Sequence, residues 1–137
     1  MISVDDEQFQ ALTVEALESL PGEHAKNIAN VAIIYAYEPD AEQRERLKLR
    51  HDQTLFGLYE GVPLAYRQGQ TRILPDKITI FKLPLEMASN TMAELKENIR
   101  HTLWHEIGHY YGLNHDKIRE LENWELALVT NSSASLC

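Results

Sequence analysis

The sequence predicts one domain that mixes helices with a few short strands. Helical periodicity recurs in residues 5–20 and 91–112, while β-branched apolar runs at 31–37 and 77–83 each stop before a proline. The chain has 137 residues, 44% hydrophobic and 25% charged, with no internal repeat and no linker. That is ordinary globular composition at close to the commonest domain size.

Residues 5–20 place Phe9, Leu12, Ala16, Leu17 and Leu20 at helical spacing, and Pro21-Gly22 ends the pattern. The run VAIIYAY at 31–37 reads as a buried strand stopped by Pro39-Asp40. Residues 42–52 alternate in charge sign, with Leu47 and Leu49 the apolar members, and read as a solvated helix or loop. LFGLY at 55–59 is a second strand, followed by a turn at Glu60-Gly61-Val62-Pro63 and a polar loop at 68–72. KITIFKL at 77–83 alternates as a half-buried strand that Pro84 terminates. Asn90 or Thr91 caps the longest helix, with Glu94 three residues after Thr91 completing a capping box. This helix runs to Gly112, and Ile99, Leu103 and Ile107 repeat every four residues as its core stripe. A last helix is expected over about 116–126, then a small polar tail. The domain is therefore expected to span 1–126, with 127–137 a flexible tail.

Acidic residues outnumber basic ones 21 to 13, a net charge of −8, which argues against a nucleic-acid or anionic-membrane partner. The single cysteine, Cys137, leaves no disulfide within the chain and fits a reducing compartment. Met1 to Glu7 is acidic and lacks the apolar core of a signal peptide, and no run approaches the roughly 18 apolar residues of a membrane span. A cytoplasmic location is the expectation.

His105, Glu106 and His109 form H-E-x-x-H within the longest helix. Residues four apart share a helix face about 5–6 Å from each other, so both imidazoles can reach one ion. Glu106 lies about 100° round the helix, beside the ligands, where a general base acting on a metal-activated water belongs. Gly112 follows His109 by three residues and His115 follows Gly112 by three, extending the motif to H-E-x-x-H-x-x-G-x-x-H. A third ligand so near in sequence reaches the metal only if the helix stops and the chain doubles back, which a glycine with positive φ permits. Three protein ligands leave one position open, the mark of a catalytic zinc site. A chance match at five fixed positions has a probability on the order of 10⁻⁵ in a chain of this length, so one zinc per chain on His105, His109 and His115 is expected.

Asp116, next to His115, can replace it as ligand or cap the last helix. His101 sits one turn before His105, in reach of a supporting contact but better read as a surface or core residue, whereas His24 and His51 have polar neighbours and are expected at the surface. Tyr59, Tyr66, Arg67, Tyr110 and Tyr111 all carry donors of the type that stabilises an oxyanion, and all are equally explained by packing.

Beyond the motif, the chain resembles the minimal-zincin family of small bacterial zinc-metallopeptidase-like proteins over about residues 9–122. The carrying segments are 9–20, Asn30-Val31-Ala32-Ile33, Phe56-Gly57-Leu58-Tyr59-Glu60-Gly61-Val62-Pro63-Leu64, Leu74-Pro75-Asp76-Lys77-Ile78-Thr79-Ile80-Phe81 and 100–109. The Gly-Leu-Tyr-Glu-Gly-Val-Pro and Leu-Pro-Asp segments have no explanation in zinc chemistry and make the match more specific. The resemblance implies an α+β zincin core, a small mixed sheet packed with the zinc-binding helix and flanking helices. It also implies a third ligand at position 115, where many relatives carry Asp and this chain has His115. That substitution resembles the metzincins, but Met87 and Met92 precede the motif, so neither can form the Met-turn that follows it there.

The reading is peptide-bond hydrolysis with Glu106 as general base, acting on a peptide or unfolded protein. The rival is a catalytically silent zincin-fold module that binds peptides or proteins; a purely structural metal domain would want four protein ligands. With 22 residues after His115, an open cleft is expected, and 77–83 is nominated as the sheet edge to which a peptide backbone adds.

Overall fold

A computed structural model describes residues 1–20, 31–61 and 76–112 of the chain. The elements in order are α1 (Asp6–Glu18), β1 (Val31–Ala36), α2 (Ala41–Arg46), β2 (Gly57–Glu60), β3 (Asp76–Phe81), α3 (Lys82–Met87) and α4 (Met92–Tyr110). The expected helix at 116–126, the tail at 127–137, the loop at 68–72, His24, Tyr66, Arg67, His115 and Asp116 lie outside the described residues. So does the far limit of the expected 1–126 domain.

The strands form a mixed sheet in the order β1-β3-β2. β3 pairs in parallel with β1, Val31 opposite Asp76 through Ala36 opposite Phe81, and antiparallel with β2, Gly57 opposite Ile80 through Glu60 opposite Lys77. The expected α+β architecture is thus present, and one nomination fails. The 77–83 segment is no edge, because β3 has a hydrogen-bonded neighbour on both sides. Its alternation reports what its two faces meet, and says nothing about how many strands flank it.

The alternation also sorts the core into two sides. Ile78 and Ile80 face a cluster with Phe9, Ala16 and Leu20 from the first helical segment and Leu95, Ile99, Leu103 and Ile107 from α4. The stripe read from the sequence is therefore the one that α4 lays on the sheet. On the other face Phe81 and Leu58 join Leu55, Leu47 and Leu49. The charged 42–52 segment is both things expected of it, a short helix and then turns. Its two leucines, with the buried Gln43, are the part that packs inward.

Capping follows the local chemistry. Asp5 accepts the Gln8 N–H and Asp40 the Gln43 N–H, each with the glutamine side chain reaching back, so two reciprocal boxes start α1 and α2. Thr91 caps α4 by accepting the Glu94 N–H at 3.1 Å. The Glu94 carboxylate bonds instead to the N–H of Asn90, so the expected box is displaced by one residue. Pro84 does not merely stop β3. It occupies the first turn of α3, a helix absent from the sequence reading, where a proline is tolerated because that turn's N–H groups have no intrahelical acceptor.

β2 approaches α4 at Gly57. A Cβ there would lie 2.6 Å from Thr102 Cγ2 and 3.2 Å from Glu106 Cγ. Thr102 cannot swing aside cheaply, since its hydroxyl donates to the Asn98 carbonyl at 2.7 Å and it is β-branched and buried. Gly57→Ala is accordingly expected to destabilise the protein by about 1–3 kcal/mol, the range for overpacking. Urea unfolding measures it, and a midpoint equal to wild type would show that the two elements separate freely.

Candidate metal centre

α4 carries the H-E-x-x-H positions in its last two turns. His105 and Glu106 are buried and His109 half-buried; each offers one ligand atom, and these atoms all lie within 4.8 Å of one another. Donors sharing one zinc sit at most about 4.2 Å apart, so small adjustments of the two imidazoles suffice for both to meet one ion, with the Glu106 carboxyl beside it. The two imidazoles meet edge to face with centroids 4.8 Å apart. Two imidazoles are donors that suit zinc, and the carboxyl beside them suits a base.

The helix then ends as the motif requires. Tyr110 is its last residue, Tyr111 caps it, and Gly112 takes φ +84° with its N–H donating to the His109 carbonyl at 2.9 Å. This is the left-handed position that glycine fills without a Cβ penalty. The chain thus leaves the helix three residues before His115, the expected third ligand, which is outside the described residues.

Glu106 is 2% exposed. The Tyr59 backbone N–H donates to its carboxylate, while the buried Oε1 has no hydrogen-bond partner among the described residues. An unpartnered buried carboxylate oxygen next to two imidazoles fits a group whose second partner is a cation-held water. Burial pushes its pKa up to about 7, against the opposing pull of His105 and of the Tyr59 N–H.

The other sequence candidates separate. His51 is exposed as expected, and His101 is half-buried on α4 one turn before His105. The Tyr59 hydroxyl donates to Asp76 at 2.6 Å, so its proton is committed away from any oxyanion. Tyr110 is buried and packed edge-on between Tyr59 and Tyr111. Burial, then the neighbouring Tyr110, raises the Tyr111 hydroxyl above its ordinary value, which keeps it a neutral donor. Asp76, the buried acceptor of the Tyr59 hydroxyl, carries no role in the sequence reading. The signal for it was the pair of segments around Tyr59 and Asp76 that zinc chemistry left unexplained.

In metal-free protein the raised Glu106 pKa has a definite sign. The folded carboxyl holds its proton more tightly than the unfolded chain, whose value is 4.5, so this stabilisation is complete below about 4.5 and is lost as the pH rises through about 7. Glu106→Gln is neutral throughout. Its stability relative to wild type is expected to rise by about 3 kcal/mol between pH 4.5 and 8, at 1.36 kcal/mol per pKa unit. A pH-independent difference in denaturant midpoints would contradict burial of this carboxyl.

Among the described residues no helix is long and apolar enough to cross a membrane. A comparison with curated proteins returns no match. Residues 28–124, most of the chain and the whole of α4, match a family described as zincin-like metallopeptidase. With a mixed sheet, a His-Glu-His group on the helix packed against it and that family match, the chain belongs to the zincin-like metallopeptidases.

Proposed function

We propose that the protein is a zinc-dependent peptidase acting on peptides or unfolded protein segments in a reducing compartment such as the cytoplasm. The observation that carries the reading is Glu106: a buried carboxyl with a pKa of about 7, flanked by two histidines at ligand spacing, with one oxygen lacking a hydrogen-bond partner among the described residues. A base works best when its pKa lies near the working pH. His105 and His109, with His115 as third ligand, would hold the zinc, which when bound polarises the scissile carbonyl and acidifies a water. Glu106 would take a proton from the attacking water and return it to the leaving amine.

β3 is interior, so a peptide that adds its backbone to the sheet must use an outer strand. The family match favours this enzyme over a silent binding module.

Zinc content is expected to collapse in His105→Ala and in His109→Ala, measured on purified protein. His115→Ala is expected to lose it and Asp116→Ala to keep it; the reverse would make Asp116 the third ligand. Glu106→Gln should keep one zinc and lose about 10²–10⁴ in hydrolysis of an unfolded casein-like substrate, the usual contribution of a general base. Equal turnover by this variant would remove Glu106 from the chemistry. A zinc-loaded wild type that cuts neither a peptide library nor casein would leave the binding module standing.

A further inference from the structure

β2 carries a second set of contacts that the hydrolytic chemistry does not explain. The register sets Tyr59 opposite Ile78, which makes Asp76, two residues earlier on β3, its diagonal neighbour on the same face. Asp76 is wholly buried, and its Oδ2 accepts the Tyr59 hydroxyl at 2.6 Å. Gly61 lies against the same carboxyl: a Cβ there would fall 2.5 Å from Asp76 Cγ, so this place for Asp76 requires a glycine at 61. The Tyr59 ring also meets Tyr110 edge-on at 6.2 Å, and Tyr110 directly follows His109.

The backbone of the same residue points the other way. The Phe81 N–H donates to the Phe56 carbonyl at 2.9 Å, and from there alternation turns the groups of Leu58 and Glu60 toward β3 and those of Gly57 and Tyr59 away from it. The Tyr59 N–H therefore leaves the sheet on its outer side, and there Glu106 accepts it. One residue is gripped by a buried carboxylate through its side chain and grips the proposed base through its amide. A phenylalanine would fill the same volume without requiring a buried carboxylate, whose dehydration is costly. The hydroxyl–carboxylate bond thus has more to do than pack.

We infer that Tyr59 and Asp76 are positioning residues of the peptidase site, Asp76 pinning the Tyr59 side chain so that the Tyr59 N–H stays on Glu106. The inference rests on the assignment of Glu106 as base. Releasing the pin lets the backbone at 59 drift, and the carboxylate drifts with it. Proton transfer suffers, while substrate binding and the histidine ligands do not.

The test compares zinc-loaded wild type with Tyr59→Phe, which removes only the hydroxyl, with Asp76→Asn, which keeps an acceptor oxygen, and with the exposed Tyr37→Phe as control. Tyr59→Phe is expected to lower kcat about tenfold, as loss of a supporting partner typically does, with KM within about twofold and zinc affinity unchanged. Asp76→Asn should fall less, and Tyr37→Phe not at all. Amide hydrogen exchange gives a readout independent of turnover: in Tyr59→Phe the amide of residue 59 should lose protection while those of Leu58 and Glu60, bonded to β3, keep theirs. Unchanged kcat with unchanged exchange at 59 overturns the inference. So does equal loss of protection at 58, 59 and 60, which is loosening of the whole strand. If wild type binds zinc and cuts nothing, the peptidase reading fails, and selective exchange at residue 59 still decides the pin.

Discussion

The close approach of β2 to α4 is the constraint on which the rest of this molecule depends. The absence of a side chain at Gly57 lets a strand backbone come down onto Thr102 and Glu106. That contact removes the Glu106 carboxyl from water, raises its pKa, and brings the Tyr59 N–H to it. Without it the H-E-x-x-H positions would line an exposed helix face, and Glu106 would be an ordinary surface carboxylate.

Energetically, the site is carried by apolar burial elsewhere. Ile99, Leu103 and Ile107 on α4, with Phe9 on α1 and Ile78 and Ile80 on β3, are essentially inaccessible to water. Each such side chain contributes about 1.5–3 kcal/mol relative to exposure. Against that background a desolvated carboxyl, worth a few kcal/mol on the unfavourable side when ionised, is tolerable. The surface ion pairs, such as Lys96 with Glu15 and Arg46 with Glu60, are at least partly solvated and worth little by comparison. Stability lies in the hydrophobic seam between α1, α4 and the sheet, and the candidate metal centre lies at the polar end of that seam.

The final turns of α4 show how local and global requirements meet. His105 and His109 come together because four residues make about one turn, a property of any helix. Gly112 takes its positive φ because the helix must end there. Glu106 differs: its direction is helical geometry, but its chemistry is set by residues almost fifty positions away, on β2.

Much of this was legible in the chain itself. The helical stripe of α4, the Thr91 cap, the Gly112 exit and the His-Glu-His spacing all arise from interactions within a few residues, which periodicity and turn chemistry report directly. Strand order was not legible. Lys77 and Thr79 alternate with Ile78 and Ile80 whether β3 lies at an edge or in the middle, because alternation encodes faces and not neighbours. Nor did Pro84 betray α3, since proline ends a strand and starts a helix with the same fixed φ. The Tyr59–Asp76 contact and the burial of Glu106 bring together segments of β2, β3 and α4 that are distant in sequence. Only tertiary packing decides such contacts, because the free energy that forms them comes from the whole core and from no local run of residues.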